Sequence, residues 1–303
     1  MSKHPNLWSQ SVLAVLTSLL FAGSFVAGKY TTREMGPVLI TLLRYLIASA
    51  FLQLLVWHRG DIGPRLKVAS ATDKVCLFFL GTFGVVGYHF FFFSSLRYTA
   101  VANSAIINAF NPVVTGFLAA VILKEKLALK NYLGGAIAIF GVLILLTSGN
   151  LMALLQLQFN QGDLLMLCAV LCWAGYSILL RYLGRRYSGL AMSYYGALLG
   201  VAQLSFLVIP ELLQSGFPIL SPASILGVFY MGVGASGIGY LLFTLSTQRI
   251  GPTKSTSIVY SGVPVWAALL AGLFFVEPVT PWMLASMGLI LLGLRTVLQP
   301  AQK

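Results

Sequence analysis

The sequence predicts an all-α integral membrane protein with ten transmembrane helices, arranged as two inverted five-helix repeats. Three observations carry this. The 303-residue chain is 58% hydrophobic and 9% charged, where soluble domains carry about 25% charged residues. A soluble fold of this length could not hide so much apolar surface, and a bilayer is the solvent that suits it. Lys and Arg concentrate in every second loop, and first-half residues recur in the second half at one fixed offset.

Apolar runs fall at 8–28, 37–57, 75–95, 99–122, 130–148, 163–181, 190–209, 223–246, 253–276 and 280–298, each close to the ~20 residues that a span needs. The first run lacks a small-residue cleavage exit and reads as a span rather than a removed signal. The second and third runs are separated by 58–74, which holds Arg59, Asp61, Gly63, Pro64, Arg65 and Lys67. The connection 149–162 carries no charge. It is the external linker between a first repeat, 1–148, and a second, 163–303, and its segment 150–159 suits a position along the membrane interface. The whole is a single membrane domain.

With the N-terminus inside, 15 Lys and Arg fall on inner segments and 3 (Lys29, Arg33 and Arg97) on outer ones. This bias places both termini in the cytoplasm and the chain in the cytoplasmic (inner) membrane, and it requires an even number of spans. Topology thereby accounts for the net charge of +12, and no nucleic-acid partner is expected, although a basic soluble domain would suggest one. Cys76, Cys168 and Cys172 lie in apolar runs with no His or acid joining them at helical spacing. They read as buried structural thiols, with no metal and no cofactor.

The repeat offset is 152 residues. It pairs Phe21 with Trp173, Lys29 with Arg181, Tyr30 with Tyr182, Asn108 with Tyr260, Pro112 with Pro264, Glu125 with Glu277 and Gly141 with Gly293. Five spans per half make the second half enter from the opposite face. Inverted repeats are a transporter architecture, with the solute site at the repeat interface near the midplane.

Depth along the spans selects the candidate site residues. Arg44 is the formal charge set deepest inside a run, about 10 Å from the outer surface, and His89 lies at about 9 Å, at a rise of 1.5 Å per residue. An ion at that depth needs water, carbonyls or an anionic group on the solute, and a solute carboxylate would serve. Phe21 and Trp173, near the midplane, join Asn108, Tyr240 and Tyr260 as a mostly aromatic wall suited to an apolar amphiphile. Pro112 and Pro264 fall about 16 Å into their spans, where a proline removes a backbone bond and either only kinks the helix or forms a hinge. Asn111, directly before Pro112, either fills that gap or faces the cavity. Glu125 and Glu277 end their spans on opposite sides and read as helix-end partners. Gly232-Val-Gly-Ala-Ser-Gly237 is a literal GxGxxG, but inside an apolar run it reads as close helix packing. There is no Ser/His/Asp set, HExxH, P-loop or mid-membrane carboxylate pair, so no catalytic activity is expected.

Several local patterns also resemble the EamA-type members of the drug/metabolite transporter superfamily. Leu19-Leu-Phe-Ala-Gly-Ser-Phe-Val-Ala-Gly-Lys29 is similar to the family's first-helix element, and Arg44-Tyr45 to its second-helix Arg-Phe. Ser95-Leu-Arg-Tyr-Thr-Ala100 resembles its A-L-R-Y-T-x-A turn, and Pro112, Glu125-Lys-Leu127, Gly134 and Gly141 its fourth and fifth helices. Two positions depart: Phe21 stands for the first-helix Trp, and Gly196 stands at the repeat equivalent of Arg44. The resemblance implies a secondary transporter, most simply an exporter of amino acids or related compounds. Its partners would be a small solute and membrane lipids, in a monomer or a homodimer. The competing readings are a lipid-head or prenyl-phosphate flippase and a non-transporting membrane interaction subunit.

The charge bias generates the first prediction. In a background lacking Cys76, Cys168 and Cys172, a cysteine placed in 149–162 reacts with an impermeant thiol reagent from outside the cell. One placed in 124–130 does not, and the reverse pattern contradicts the topology.

Overall fold

A computed structural model describes residues 7–59, 70–122, 129–150, 160–184, 186–250 and 252–298. Among these there is no strand. Eight helices are long and apolar enough to cross a membrane, and two further apolar helices, Tyr132–Leu146 and Pro281–Thr296, are shorter. In chain order we label α1 (Leu7–Thr31), α2 (Pro37–Arg59), α3 (Ala71–Tyr98), α4 (Val101–Ile122), α5 (Leu129–Leu146), α6 (Gln161–Leu183) and α7 (Gly189–Ser215). Then follow α8, built from Pro222–Phe229, Tyr230–Gly239 and Tyr240–Ile250, α9 (Pro252–Phe275) and α10 (Pro281–Leu298). Glu125 and the segment 151–159 lie outside the described residues.

The helices present a packed face and an exposed face. On α7, Ala197, Gly200, Leu204 and Val208 are buried while Phe206, Leu207 and Leu213 are exposed, as expected for a helix with lipid on its outer side. The helix passes Pro210 and runs to Ser215, six residues beyond the apolar run. The charge that ends the run, Glu211, is taken up by a neighbouring helix end. The three cysteines are free and half-buried, less enclosed than their apolar surroundings in the sequence suggest.

Packing pairs follow a pattern. α1 lies against α8 and α9, α6 against α3 and α4, α2 against α7, and α5 against α10. Exchanging the two halves maps every one of these pairs onto another of them or onto itself. Glycines set the closest approaches. A Cβ on Gly293 would meet Ala138 Cβ at 2.8 Å, and one on its repeat mate Gly141 would meet Leu289 Cβ at 3.0 Å. Gly81 faces the Gly200 backbone, and Gly232, of the GxGxxG stretch, faces Ile47 and the Arg44 carbonyl.

Helix ends are capped across the two halves. At the end where α1 finishes, the Glu211 carboxylate accepts from Val38 N at 3.1 Å and Leu39 N at 3.0 Å, capping α2. Glu277 likewise accepts from Val101 N at 3.0 Å and caps α4, which is the helix-end role read from the sequence. Glu34 accepts from Ser221 N at 2.9 Å at the start of α8. Carboxylates suit these positions because helix N-termini carry unpaired N–H groups and positive dipole. Hydrogen bonds from the Ser221 side chain and backbone, and from Ser224, hold the Glu34 carboxyl below the ordinary carboxylate range. A carboxyl depressed in the folded state stabilises above its unfolded pKa. This cap is therefore present near neutrality and is lost as pH falls through the depressed value. At the opposite end Asp73 pairs with Arg186 at 2.7 Å.

Gly293→Leu forces α5 and α10 apart. It should lower stability by roughly 1–3 kcal/mol, the usual cost of overpacking, read as a lower thermal unfolding midpoint in detergent. An unchanged midpoint contradicts this packing.

Candidate functional site

Between the halves lies a narrow cavity. Its wall comprises Phe21, Ser24 and Phe25 of α1, Arg44 of α2, Tyr88, His89 and Phe92 of α3, and Asn108 of α4. The second half contributes Trp173 of α6, Tyr240 of α8, and Tyr260 and Val263 of α9. Seven of the eight residues selected by depth and repeat offset are therefore brought together. The eighth, Asn111, is not on the wall.

Two π-helical stretches aim the tyrosines. Thr82–Gly87 in α3 ends immediately before Tyr88, and Tyr230–Gly239 in α8 ends immediately before Tyr240. Gly87 and Gly239, like Tyr88 and Tyr240, are 152 residues apart. A π stretch shifts the helical register, and such stretches recur at functional sites. Here the same device sets one tyrosine from each half into the cavity. The Tyr88 ring centroid is 4.9 Å from Trp173, and the Tyr240 centroid is 5.5 Å from Phe21. These two contacts are repeat equivalents.

Asn111 sits behind the wall for a backbone reason. Pro112 has no N–H, so the Asn108 carbonyl four residues earlier loses its helical donor. Asn111 Nδ2 donates to that carbonyl at 3.0 Å and to Asn108 Oδ1 at 2.5 Å. The helix is interrupted just there, between Val101–Asn108 and Asn111–Ile122. Asn108 Oδ1 also accepts from the Tyr88 hydroxyl at 3.2 Å, which fixes the wall between α3 and α4. Pro264, by contrast, lies inside one continuous helix, Pro252–Phe275.

Arg44 is 4% exposed, and its Nε donates to Ser236 Oγ at 2.8 Å. Ser236 belongs to the π stretch of α8. His89 is 1% exposed, with Nδ1 3.1 Å from the Val85 carbonyl. A carbonyl only accepts, so Nδ1 carries the proton there. The imidazole packs edge-on to Tyr45 at 5.0 Å and to Tyr88 at 4.9 Å. Ser24 Oγ is buried and has no hydrogen-bond partner among the described residues.

A second, smaller cavity adjoins the first; Tyr45, Leu52, Tyr176, Ser193, Gly196 and Ser236 are among its lining residues. Tyr240 belongs to both walls. The partition between them is Tyr240, Tyr45 and the Arg44–Ser236 bond, with the Tyr45 hydroxyl in hydrogen-bonding reach of Tyr240 and Ser236. Beyond the first cavity, towards the end where α1 finishes, Phe25 packs edge-on to Phe92 at 4.8 Å, and Phe93 and Leu96 are fully buried. Above them Lys29 Nζ donates to the Thr99 carbonyl at 2.7 Å.

Sequence reasoning missed Ser24, Phe25, Tyr88, Phe92, Val263 and Ser236. The 152-residue offset to Tyr240 was a signal for Tyr88. Ser236 lay in a glycine-rich stretch that read only as packing.

Comparison with known proteins agrees with this architecture. The model of the EamA-like transporter family matches the chain twice, over residues 8–147 and 160–299. A Bacillus subtilis (strain 168) protein named uncharacterized transporter YyaM is 29% identical, covering 97% of this chain and 94% of its own. A probable terminal-alkyne amino-acid exporter of Streptantibioticus cattleyicolor is 25% identical over 88% of this chain and 85% of its own. The aromatic amino acid exporter YddG of Ancylobacter novellus is 24% identical over 86% and 88%. A crystal structure of another protein, 22% identical, superposes with a TM-score of 0.66 over 95% of this chain and 98% of that one, a likeness of fold.

The Asn111–Asn108 bond generates a double-mutant prediction. Asn111→Ala leaves the Asn108 carbonyl unpaired and should cost about 1–3 kcal/mol. Adding Pro112→Ala restores a backbone N–H and should recover much of that loss in thermal unfolding. A double variant as unstable as the two single losses added together contradicts the assignment.

Proposed function

Because the chain belongs to the EamA-like transporter family, we propose that it is a secondary transporter exporting small amphiphilic metabolites, amino acids or their relatives, by alternating access. The observation that carries this reading is the cavity walled by both halves, with Tyr88 and Tyr240 set into it by equivalent π stretches. A site at the junction of two repeats can be exposed to either side by rocking one unit against the other.

In this reading the chain has ten spans, α5 and α10 included, as two inverted repeats, 1–148 and 163–303, with 149–162 as an external linker. It lies in the cytoplasmic membrane with both termini inside. The exchange symmetry of the helix pairs supports the repeat assignment. The relatives named as amino-acid exporters support the solute class. Partners are the solute and membrane lipids, and the work is transport rather than catalysis.

The first cavity holds the solute, and the partition of Tyr240, Tyr45 and Arg44–Ser236 separates it from the second cavity, on the cytoplasmic side. The layer of Phe25, Phe92, Phe93 and Leu96, under the carboxylate-capped helix ends, closes it from outside. Opening outwards requires those cross-half caps to loosen, and opening inwards requires the tyrosines to move. Acids of the described spans are engaged at helix ends: Asp73 with Arg186, Asp163 with Thr99 and Glu211 with the start of α2. None of the three is placed to act as a mid-membrane proton carrier.

Trp173→Ala and Tyr260→Ala each remove an aromatic wall and should cut export about tenfold or more, at roughly 1.4 kcal/mol per decade, while membrane levels stay normal. Cells expressing the protein and challenged with a panel of amino acids and toxic analogues give the readout, with flux from proteoliposomes as the direct measure. Export equal to wild type in both variants contradicts this site.

A further inference from the structure

The first cavity has a permanent cation on its wall, Arg44, and among the described residues no Asp or Glu lines it or the adjoining cavity. Among the described residues the guanidinium is bonded to a neutral hydroxyl, Ser236 Oγ, and forms no ion pair with a carboxylate. Arginine cannot shed its proton, and a charge at this depth is costly unless it is neutralised or wetted. With Nε held by Ser236, the two Nη groups remain as the parallel donors that a carboxylate takes bidentately. A second orphan lies on the same wall: Ser24 Oγ, 5% exposed and without a hydrogen-bond partner among the described residues. The remaining surface is aromatic, led by Phe21, Tyr88, Trp173 and Tyr240.

We infer that the solute supplies the missing charge: the substrate class is a monocarboxylate with an aromatic or bulky apolar body, bound with its carboxylate on Arg44. This deepens the transporter reading of the same cavity and rests on it. Charge counting orders the candidates. A monoanion brings cavity and solute together to neutrality. A zwitterion leaves the excess positive charge in place and adds an ammonium that meets only aromatic faces and neutral dipoles. An amine of the same body adds a second cation and nothing to offset the first. The preferred solutes are therefore aryl-alkanoic, 2-oxo or N-acylated amino acids, ahead of the free amino acid and far ahead of the amine.

Three ligands of one shape and three charges make the test: 3-phenylpropionate, phenylalanine and phenethylamine. Binding to the purified wild-type protein is read by tryptophan fluorescence and by the shift in unfolding midpoint, and flux is read in proteoliposomes. The expected order is 3-phenylpropionate, then phenylalanine, then phenethylamine, with at least about a tenfold gap between the first and last, the usual worth of a charge-assisted hydrogen bond. Arg44→Gln should erase the order, and Arg44→Lys should restore it only in part, because a point charge lacks the fork. The wild-type series decides the matter even if neither variant folds. Phenethylamine binding as well as 3-phenylpropionate overturns the inference but leaves a transporter. Binding of none of the three also overturns it, and flux of the wider solute panel then tells whether the transporter reading falls too.

Discussion

In a bilayer the backbone has no water to turn to, so each exposed N–H and carbonyl in the spans must find a protein partner. The architecture is largely a set of answers to that requirement. Continuous helices answer most of it. Where Pro112 breaks the ladder, Asn111 supplies the donor to Asn108. At helix starts, Glu34, Glu211 and Glu277 supply acceptors, each reaching from one half to a helix of the other. The caps are thus also ties between the two units.

The same requirement shapes the centre. Glycines bring α5 to α10, α3 to α7 and α2 to α8 closely enough that the bundle closes on its flanks. Between α1, α3, α6 and α8 the aromatic rings are too large to close fully, and a cavity remains. The two π stretches settle which residues face it, since a register shift before Tyr88 and before Tyr240 turns both inwards. Polar groups left over after the backbone is satisfied, Arg44 and Ser24 above all, then collect on the cavity wall.

Much of this was legible in the sequence. Composition and loop charge gave the helical membrane class, and the 152-residue offset gave the halves. Depth alone picked out Arg44 and His89, and the offset picked out Phe21, Trp173, Asn108 and Tyr260. What it could not give was register. A π stretch has the same residues as an α-helix, so the inward turn of Tyr88 left no trace in periodicity. Phe92 was one of four consecutive phenylalanines, and nothing in such a run says which ring faces inwards. Glu211 followed a proline beyond an apolar run, and its bond to the start of α2 is a contact between helices far apart in sequence. Asn111 has two roles open to it beside the proline, and which one it takes depends on where the Asn108 carbonyl points.

Alternating exposure of the cavity between the halves is the central claim, and the accessibility of one wall atom tests it most directly. In a background lacking the native cysteines, Ser24→Cys replaces the orphan hydroxyl with a thiol of similar size. Membrane-impermeant thiol reagent, applied in separate experiments to each face of sealed vesicles, should label this position from both faces, and a transported solute should slow both reactions. Labelling from one face only, at a rate no solute changes, would mean a static pocket and would contradict the account.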